Sequence, residues 1–387
     1  MNVLFINRMM GVSWGGGENY DYHLARALQS RGHEVTLLTG KRLGCQEDIQ
    51  ISGIETISVA TPYLRRYMYA LAGKLPLVPG LFAQLDLQLF VAVVRRSLDS
   101  ILTHRKIDII QILGIPPLAE HLARRGQPIV MRFPGPPAWF QTRQLNRIKA
   151  RSNAAMFTHG DAVRHFGESL GIPVDEVPPG VDSNHFSPAI GQEERNRTRG
   201  SLGITAGDFT LITAGRLIQG KGFEFLLESA ARHIQQFDPI KLVIAGDGQL
   251  RARYERMASE LGIASHVRFV GHLPKESVAR HLRASDAFVL FSEYENYSNA
   301  ALEAMSSGIP VIASRVGGFP LQVRDGVNGF LIEPGNFQQF HERIESIRQS
   351  PRLLGNLSRG AREFAGGFSW KQCASRVEGI YARVREK

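Results

Sequence analysis

Short apolar runs without polar alternation recur along the chain, and amphipathic stretches separate them. In the first half the runs VLFI, EVTLLT, IDIIQ and PIVM predict strands at Asn2–Asn7, Glu34–Thr39, Ile107–Gln111 and Pro128–Met131. A helix is predicted over Glu18–Arg31. Runs that are apolar on both sides suit parallel strands buried on two faces. Strands alternating with helices make a series of parallel βαβ units, hence a doubly wound α/β sheet.

The pattern then breaks. Pro178-Pro179-Gly180 and Ser187-Pro188 bracket a turn-rich stretch, and the polar run Gln192–Arg199 follows, so a linker is expected near 185–205. Alternation resumes with strands expected at Thr210–Ala214, Lys241–Ala245, Val267–Val270, Ala287–Phe291 and Pro310–Ala313. Two α/β halves of similar size imply a deep cleft between them, with ligands beyond the carboxyl ends of the strands.

Composition narrows the class. The chain has 387 residues, 43% hydrophobic and 21% charged, which excludes long disorder and leaves room for two large cores. Its two cysteines, Cys45 and Cys373, build neither a disulfide framework nor a thiolate metal site. The formal net charge is +10. Arg65–Arg151 holds 14 basic residues against four acidic ones, so this segment carries the whole surplus. Such a local field suits an anionic partner, and the plainer reading is a solvated helix face. No nucleic-acid recognition motif accompanies it, and no nucleic-acid partner is expected. The start MNVLFINRMM lacks a basic region ahead of a signal-peptide core. The most apolar stretch, LPLVPGLFAQLDLQLFVAVV, is interrupted by two prolines and Asp86. A cytoplasmic protein touching the inner face of a membrane is expected.

Three junctions in the second half carry candidate chemistry. In TAGRLIQGKGFEFLL, Arg216 and Lys221 follow a strand, with Lys221 expected to open the next helix. Two cations beside a helix N-terminus suit a diphosphate. In FSEYENYSNAALEAMSSGIPVIAS, Glu295 lies in a loop and Ser298 is a candidate N-cap for a helix from Asn299 to about Ser306. The amides of Asn299, Ala300 and Ala301 then face an incoming anion, and Glu303 sits one turn inside. Carboxylates at such a place accept hydrogen bonds from sugar hydroxyls. In IAGDGQL, Gly246-Asp247-Gly248 follow a strand without the third glycine of a dinucleotide fingerprint, which argues against a nicotinamide dehydrogenase. In the first half, Gly15, Gly16 and Gly17 stand directly before a helix, where backbone can approach a ligand.

Together these segments resemble the retaining glycosyltransferases of family GT4, with the GT-B fold. The resemblance rests on GGGE…LARALQSRGHEVTLLT, VPPGVDSNHF at 177–186, AGRLIQGKG at 214–222, IAGDG at 244–248, VRFVGHLP at 267–274, and Glu295-x7-Glu303 leading into EAMSSGIPVIAS. It implies two Rossmann-like domains, 1–185 for the acceptor and 186–368 for the donor, with 369–387 a helix returning to the first. It also implies that Arg216 and Lys221 bind the donor diphosphate, that Glu303 holds the ribose, and that Glu295 contacts the donor sugar. His272 and Leu273 would lie around the base, with Gly16 and Gly17 beside the donor phosphates. Arg216, Lys221 and Glu295 would thus be catalytic, with Ser298, Asn299 and Ala300 completing the donor site.

One position departs from the pattern. Pro134, in PIVMRFPGPP, stands where many members carry a His that contacts the donor sugar. Arg132 is the nearby polar side chain, expected on the acceptor side. With no Asp-x-Asp motif, neither a metal nor another cofactor is expected. The expected activity moves a sugar from a nucleotide-diphosphate sugar to a saccharide or lipid-linked acceptor. The alternatives are a soluble small-molecule acceptor, or a sugar-nucleotide-binding protein impaired by Pro134.

Overall fold

The computed structural model describes residues 1–12, 14–61, 78–137, 141–172, 174–205, 207–237 and 239–386. Contacts divide it into two units: Met1–Gly180 with Trp370–Lys387, and Val181–Ser369.

The first unit is built on β1 (Asn2–Ile6), β2 (Glu34–Arg42), β3 (Glu55–Thr61), β4 (Ile109–Leu113), β5 (Ile129–Arg132), β6 (Ala154–Thr158) and β7 (Asp175–Glu176). Their order is β3-β2-β1-β4-β5-β6-β7, with every pairing parallel. The intervening helices are α1 (Gly16–Gln29), α2 (Val78–His104), α3 (Pro116–Arg124), α4 (Thr142–Lys149) and the short α5 (Asp161–Arg164). Both faces of the sheet are covered, which is why its strands do not alternate. Leu4, Ile6, Ile110 and Ile112 pack with Phe90, Val94 and Leu98 of α2 and Leu118 of α3. Val3, Phe5, Ile109 and Val130, pointing the other way, pack with Leu24 and Leu28 of α1. Val377, Ile380 and Tyr381 of the last helix (Trp370–Arg385) join this second layer. Each such aliphatic side chain contributes about 1.5–3 kcal/mol on full burial. Tyr381 Oη donates to Gln111 Oε1 at 2.5 Å, so the helix is also fixed in register.

The second unit has β8 (Phe209–Ala214), β9 (Ile240–Ala245), β10 (Val267–Gly271), β11 (Ala287–Leu290), β12 (Val311–Ser314) and β13 (Gly329–Ile332), ordered β10-β9-β8-β11-β12-β13 and again all parallel. Its helices are α6 (Gly191–Ser201), α7 (Phe223–Gln236), α8 (Arg251–Glu260), α9 (Lys275–Ala284), α10 (Asn299–Ser306), α11 (Phe319–Gln322), α12 (Phe337–Gln349) and α13 (Pro351–Gly366), and the last helix of the chain is α14. Leu211, Ile244 and Val289 face α7 and α12, whereas Ile212, Val243 and Phe288 face α9, α10 and α13.

The expected linker at 185–205 is corrected by the structure. That stretch contains α6, part of the second unit. Arg199 is buried, donates to Ala284 O at 2.9 Å and faces Asp286 at 3.4 Å. Arg195 pairs with Asp286 at 2.7 Å. These bonds tie a polar helix to the end of α9 and the turn before β11, so a run without an apolar stripe still folds. β3, β6, β7 and β13 add to the strands expected from the sequence. No helix among the described residues is long and apolar enough to cross a membrane.

Candidate active site

In the second unit the chemistry gathers where β8, β11 and β12 end. The loop after β8 lies against the loop after β9: Gly215 N donates to Ala245 O at 2.9 Å, and Leu217 N to Asp247 O at 3.0 Å. A Cβ on Gly246 would stand 1.8 Å from Gly215 O, and one on Gly248 2.4 Å from Leu217 O. The AGDG glycines therefore serve a close approach of two backbones.

The same principle positions Lys221. Gly222 has φ +72°, and a Cβ there would stand 1.8 Å from Phe291 O. Only glycine lets the β8 loop press against the end of β11. Glu293 N donates to Gly220 O at 2.9 Å and closes this contact. Lys221 Nζ then donates to Glu295 Oε2 at 2.7 Å, although the two are 74 residues apart. Lys221 does not open the helix as expected: α7 begins two residues later, at Phe223, behind the left-handed Gly222. The Arg216 side chain is exposed and has no ion-pair or hydrogen-bond partner among the described residues, while its backbone O accepts from Ile218 N at 2.9 Å.

The loop bearing Glu295 runs into α10. Glu295 O accepts from Gly318 N at 2.7 Å, and a Cβ on Gly317 would come within 2.3 Å of that oxygen. Ser298 is the N-cap, its Oγ accepting from Ala301 N at 3.2 Å, and its own N–H donates to Gln322 Oε1 at 2.8 Å. Ala301 is thereby removed from the three amides expected to be free. Asn299 and Ala300, both half-buried, keep theirs for a ligand. Glu303 is half-buried one turn in, and burial pushes its carboxyl up to about 7 against the pull of Lys275 and His185. His185 and Lys275 were not foreseen as neighbours of Glu303. His185 lies in the VPPGVDSNHF stretch, and its buried Nε2 has no hydrogen-bond partner among the described residues. His272 is exposed and Leu273 half-buried, in the loop between β10 and α9.

In the first unit, Gly15 is the N-cap of α1, with exposed Gly16 and half-buried Gly17 as its first residues. Arg132 is fully buried beneath them. Its Nε donates to Asp21 Oδ1 and its Nη2 to Gly17 O, each at 2.7 Å. Its guanidinium lies 4.2 Å from the centre of the Tyr20 ring. Asn7 Nδ2 holds the other Asp21 oxygen at 2.8 Å. Arg132 was expected on the acceptor side; the structure places it in the interior of the first unit, bonded to the glycine turn. Pro134 is exposed, with its Cβ 3.6 Å from where a Gly17 Cβ would be. His159 stacks on Tyr20 and is held neutral by burial and then by Arg132, its pKa lowered to about 3.

The second-unit set provides two cations, two open amides at a positive helix end, and two carboxylates. That arrangement accepts a dianion and neighbouring hydroxyls. Among the described residues, the side chains grouped closely enough to hold a metal ion are His233, His341 and Glu345, on α7 and α12.

Comparison with known proteins gives consistent results. The family Glycosyl transferases group 1 matches residues 194–364, and the family Glycosyl transferase 4-like domain matches 15–176. A protein of Geodermatophilus obscurus named D-inositol 3-phosphate glycosyltransferase is 35% identical over 221 residues, 54% of this chain and 47% of that protein. The chain spans about half the length of the curated relatives it matches. Sucrose-phosphate synthase from Thermosynechococcus elongatus superposes with a TM-score of 0.82 at 19% identity, covering 99% of this chain and 98% of that one. HepE of Anabaena, solved with UDP and glucose, superposes with a TM-score of 0.75 at 18% identity, covering 99% of both chains. These structures show the fold: two parallel-sheet, Rossmann-like units of the GT-B kind.

Proposed function

The chain belongs to the group 1, GT4-like glycosyltransferases, and from that premise we propose that it transfers a sugar from a nucleoside-diphosphate sugar to a hydroxyl acceptor with retention of configuration. The observation that carries this reading is the bond from Lys221 to Glu295 at 2.7 Å, which joins the β8 loop bearing Arg216 to the loop that leads into the capped N-terminus of α10. Arg216, Lys221 and the Asn299 and Ala300 amides hold the donor diphosphate. Glu303 accepts hydrogen bonds from the ribose hydroxyls, His272 and Leu273 lie along the base, and Glu295 orients the sugar.

The acceptor hydroxyl attacks the anomeric carbon on the face the diphosphate leaves. The bond from that carbon to the diphosphate oxygen breaks, and a phosphate oxygen takes the acceptor proton. Negative charge grows on the diphosphate, and the fixed cations and amides stabilise it without reorganising. These groups supply the charge that a divalent ion would otherwise bring, so the reaction runs without metal. Arg132 and Asp21 act at a distance, holding the Gly16–Gly17 turn.

The acceptor is a saccharide or a lipid-linked saccharide, reached from an anionic membrane surface through the basic segment. One observation favours a soluble phosphorylated cyclitol instead: the relatives are named D-inositol 3-phosphate glycosyltransferases. A transfer assay decides. The full chain is incubated in EDTA with UDP-sugars and other nucleotide sugars, against lipid-linked saccharides and inositol 3-phosphate, with the product anomer read by NMR. The expected result is transfer with the donor's configuration kept. Transfer that needs added Mg²⁺ or Mn²⁺ contradicts the metal-free step. Intact donor throughout the panel contradicts the activity.

A further inference from the structure

On the helical side of the second unit, two histidines meet through their ring nitrogens. His233 lies in the last turn of α7 and is fully buried, and His341 and Glu345 lie one turn apart on one face of α12. The Nδ1 atoms of His233 and His341 are 3.3 Å apart. Glu345 Oε1 lies 3.4 Å from Nε2, the other nitrogen of the His233 ring, and so is the more distant donor to an ion between the two Nδ1 atoms. One ligand atom from each of the three residues falls within 4.8 Å of the other two.

We propose that His233, His341 and Glu345 form a binding site for a divalent transition-metal ion, of which Zn²⁺ is the best fit, that fastens α7 to α12. The spacing supports this. Two nitrogens bound to Zn²⁺ at about 2.0–2.1 Å in a tetrahedral shell stand about 3.3–3.4 Å apart. The observed separation of the two Nδ1 atoms matches that edge. The donor set of two imidazoles and a carboxylate suits Zn²⁺ over Mg²⁺ or Ca²⁺, which prefer oxygen ligands.

The surroundings hold the donors still. Phe237 stacks on the His341 ring at 3.5 Å between centroids. Arg348 grips the Glu345 carboxylate through Nε and Nη2, each at 2.9 Å, and Gln349 Nε2 adds a bond at 2.8 Å. The proposed fourth ligand is water.

The site is separate from the donor-binding residues. His233 stands ten residues beyond the start of α7, about 15 Å along its axis from the turn that carries Lys221. Its ion is structural, and this proposal does not rest on the proposed transfer reaction. A hydrogen bond between two neutral imidazoles is the competing account of the same contact.

The test uses the full chain without a histidine tag, stripped with EDTA and then titrated with Zn²⁺ by calorimetry, with Co²⁺ as a spectroscopic stand-in. One Zn²⁺ per chain is expected, with a tetrahedral Co²⁺ spectrum and a Tm that rises with Zn²⁺. His341→Ala should weaken Zn²⁺ binding by about 10–100-fold or more and abolish the Tm response. His341→Gln, of closer size, serves if the alanine variant fails to fold by circular dichroism. Absence of stoichiometric Zn²⁺ binding, or binding unchanged in the folded His341 variant, overturns the site and leaves the imidazole hydrogen bond as the account.

Discussion

At the residue scale, Lys221 and Glu303 have distinct tasks. In the proposed reaction Lys221 meets charge that grows on the leaving diphosphate, so its effect belongs to the transition state. Lys221→Ala should lower kcat by about 100-fold or more, in line with about 2.7–4 kcal/mol for one lost donor at an oxyanion. Turnover within threefold of wild type would remove it from the site. In the same proposal Glu303 binds ground state and transition state alike, and its effect belongs in donor affinity. Its raised pKa of about 7 gives that affinity a sign with pH. The ribose hydroxyls favour the ionised carboxylate, so affinity should fall as pH drops below about 7. In Glu303→Gln this part of the dependence should vanish, and comparing the two proteins by calorimetry isolates the carboxyl from the ligand's own titration. Equal pH profiles would contradict the assignment. The same shift acts on stability. A carboxyl raised in the folded state favours folding below its unfolded pKa, and that contribution is lost as pH rises through the folded value. Ser298, Asn299, Ala300 and Glu303 were legible because cap, helix and carboxylate lie within six residues. His185 beside Glu303 was not, since their 118-residue separation leaves no local trace.

At the element scale, the site depends on backbones pressed together. Gly220 and Gly222 both have positive φ, +80° and +72°. They differ in space: a Cβ on Gly220 would lie 3.6 Å from a Glu293 side-chain oxygen, whereas one on Gly222 would lie 1.8 Å from Phe291 O. Both alanine variants suffer conformational strain, of order 1–3 kcal/mol. Gly222→Ala alone must also push the β8 loop off β11, taking Lys221 from Glu295. It should be the less stable variant in urea and should lose donor affinity, while Gly220→Ala keeps most of both. Equal losses would mean that the close approach does not position Lys221. The sequence pattern identified the buried strands because both faces of each sheet are covered. It misread 191–201 as linker because α6 is held by Arg195 and Arg199 to Asp286, polar bonds that hydrophobic periodicity does not report.

At the scale of the whole molecule, part of the charge surplus of Arg65–Arg151 is offset by acids outside the segment: Arg105 pairs with Glu55 and Arg132 with Asp21. The aromatic and basic cluster Tyr63, Leu64, Arg65, Arg66, Tyr67 and Tyr69 lies outside the described residues. Each basic group near an anionic bilayer adds about 1 kcal/mol. The chain should co-sediment with anionic vesicles at low salt, less so as salt rises, and less in Arg65→Glu/Arg66→Glu. A chain left in the supernatant at low salt favours the soluble acceptor. The central claim concerns the second unit: a cationic, metal-free site for a nucleoside diphosphate. Calorimetric titration of UDP in EDTA tests it most directly, on the full chain and on Arg216→Ala/Lys221→Ala. Single-site binding by the wild type is expected, weakened about 100-fold in the variant, since hydrogen bonds to charged groups contribute about 1.5–3 kcal/mol each. UDP binding that requires Mg²⁺ or Mn²⁺, or that is as tight in the variant as in the wild type, would contradict it.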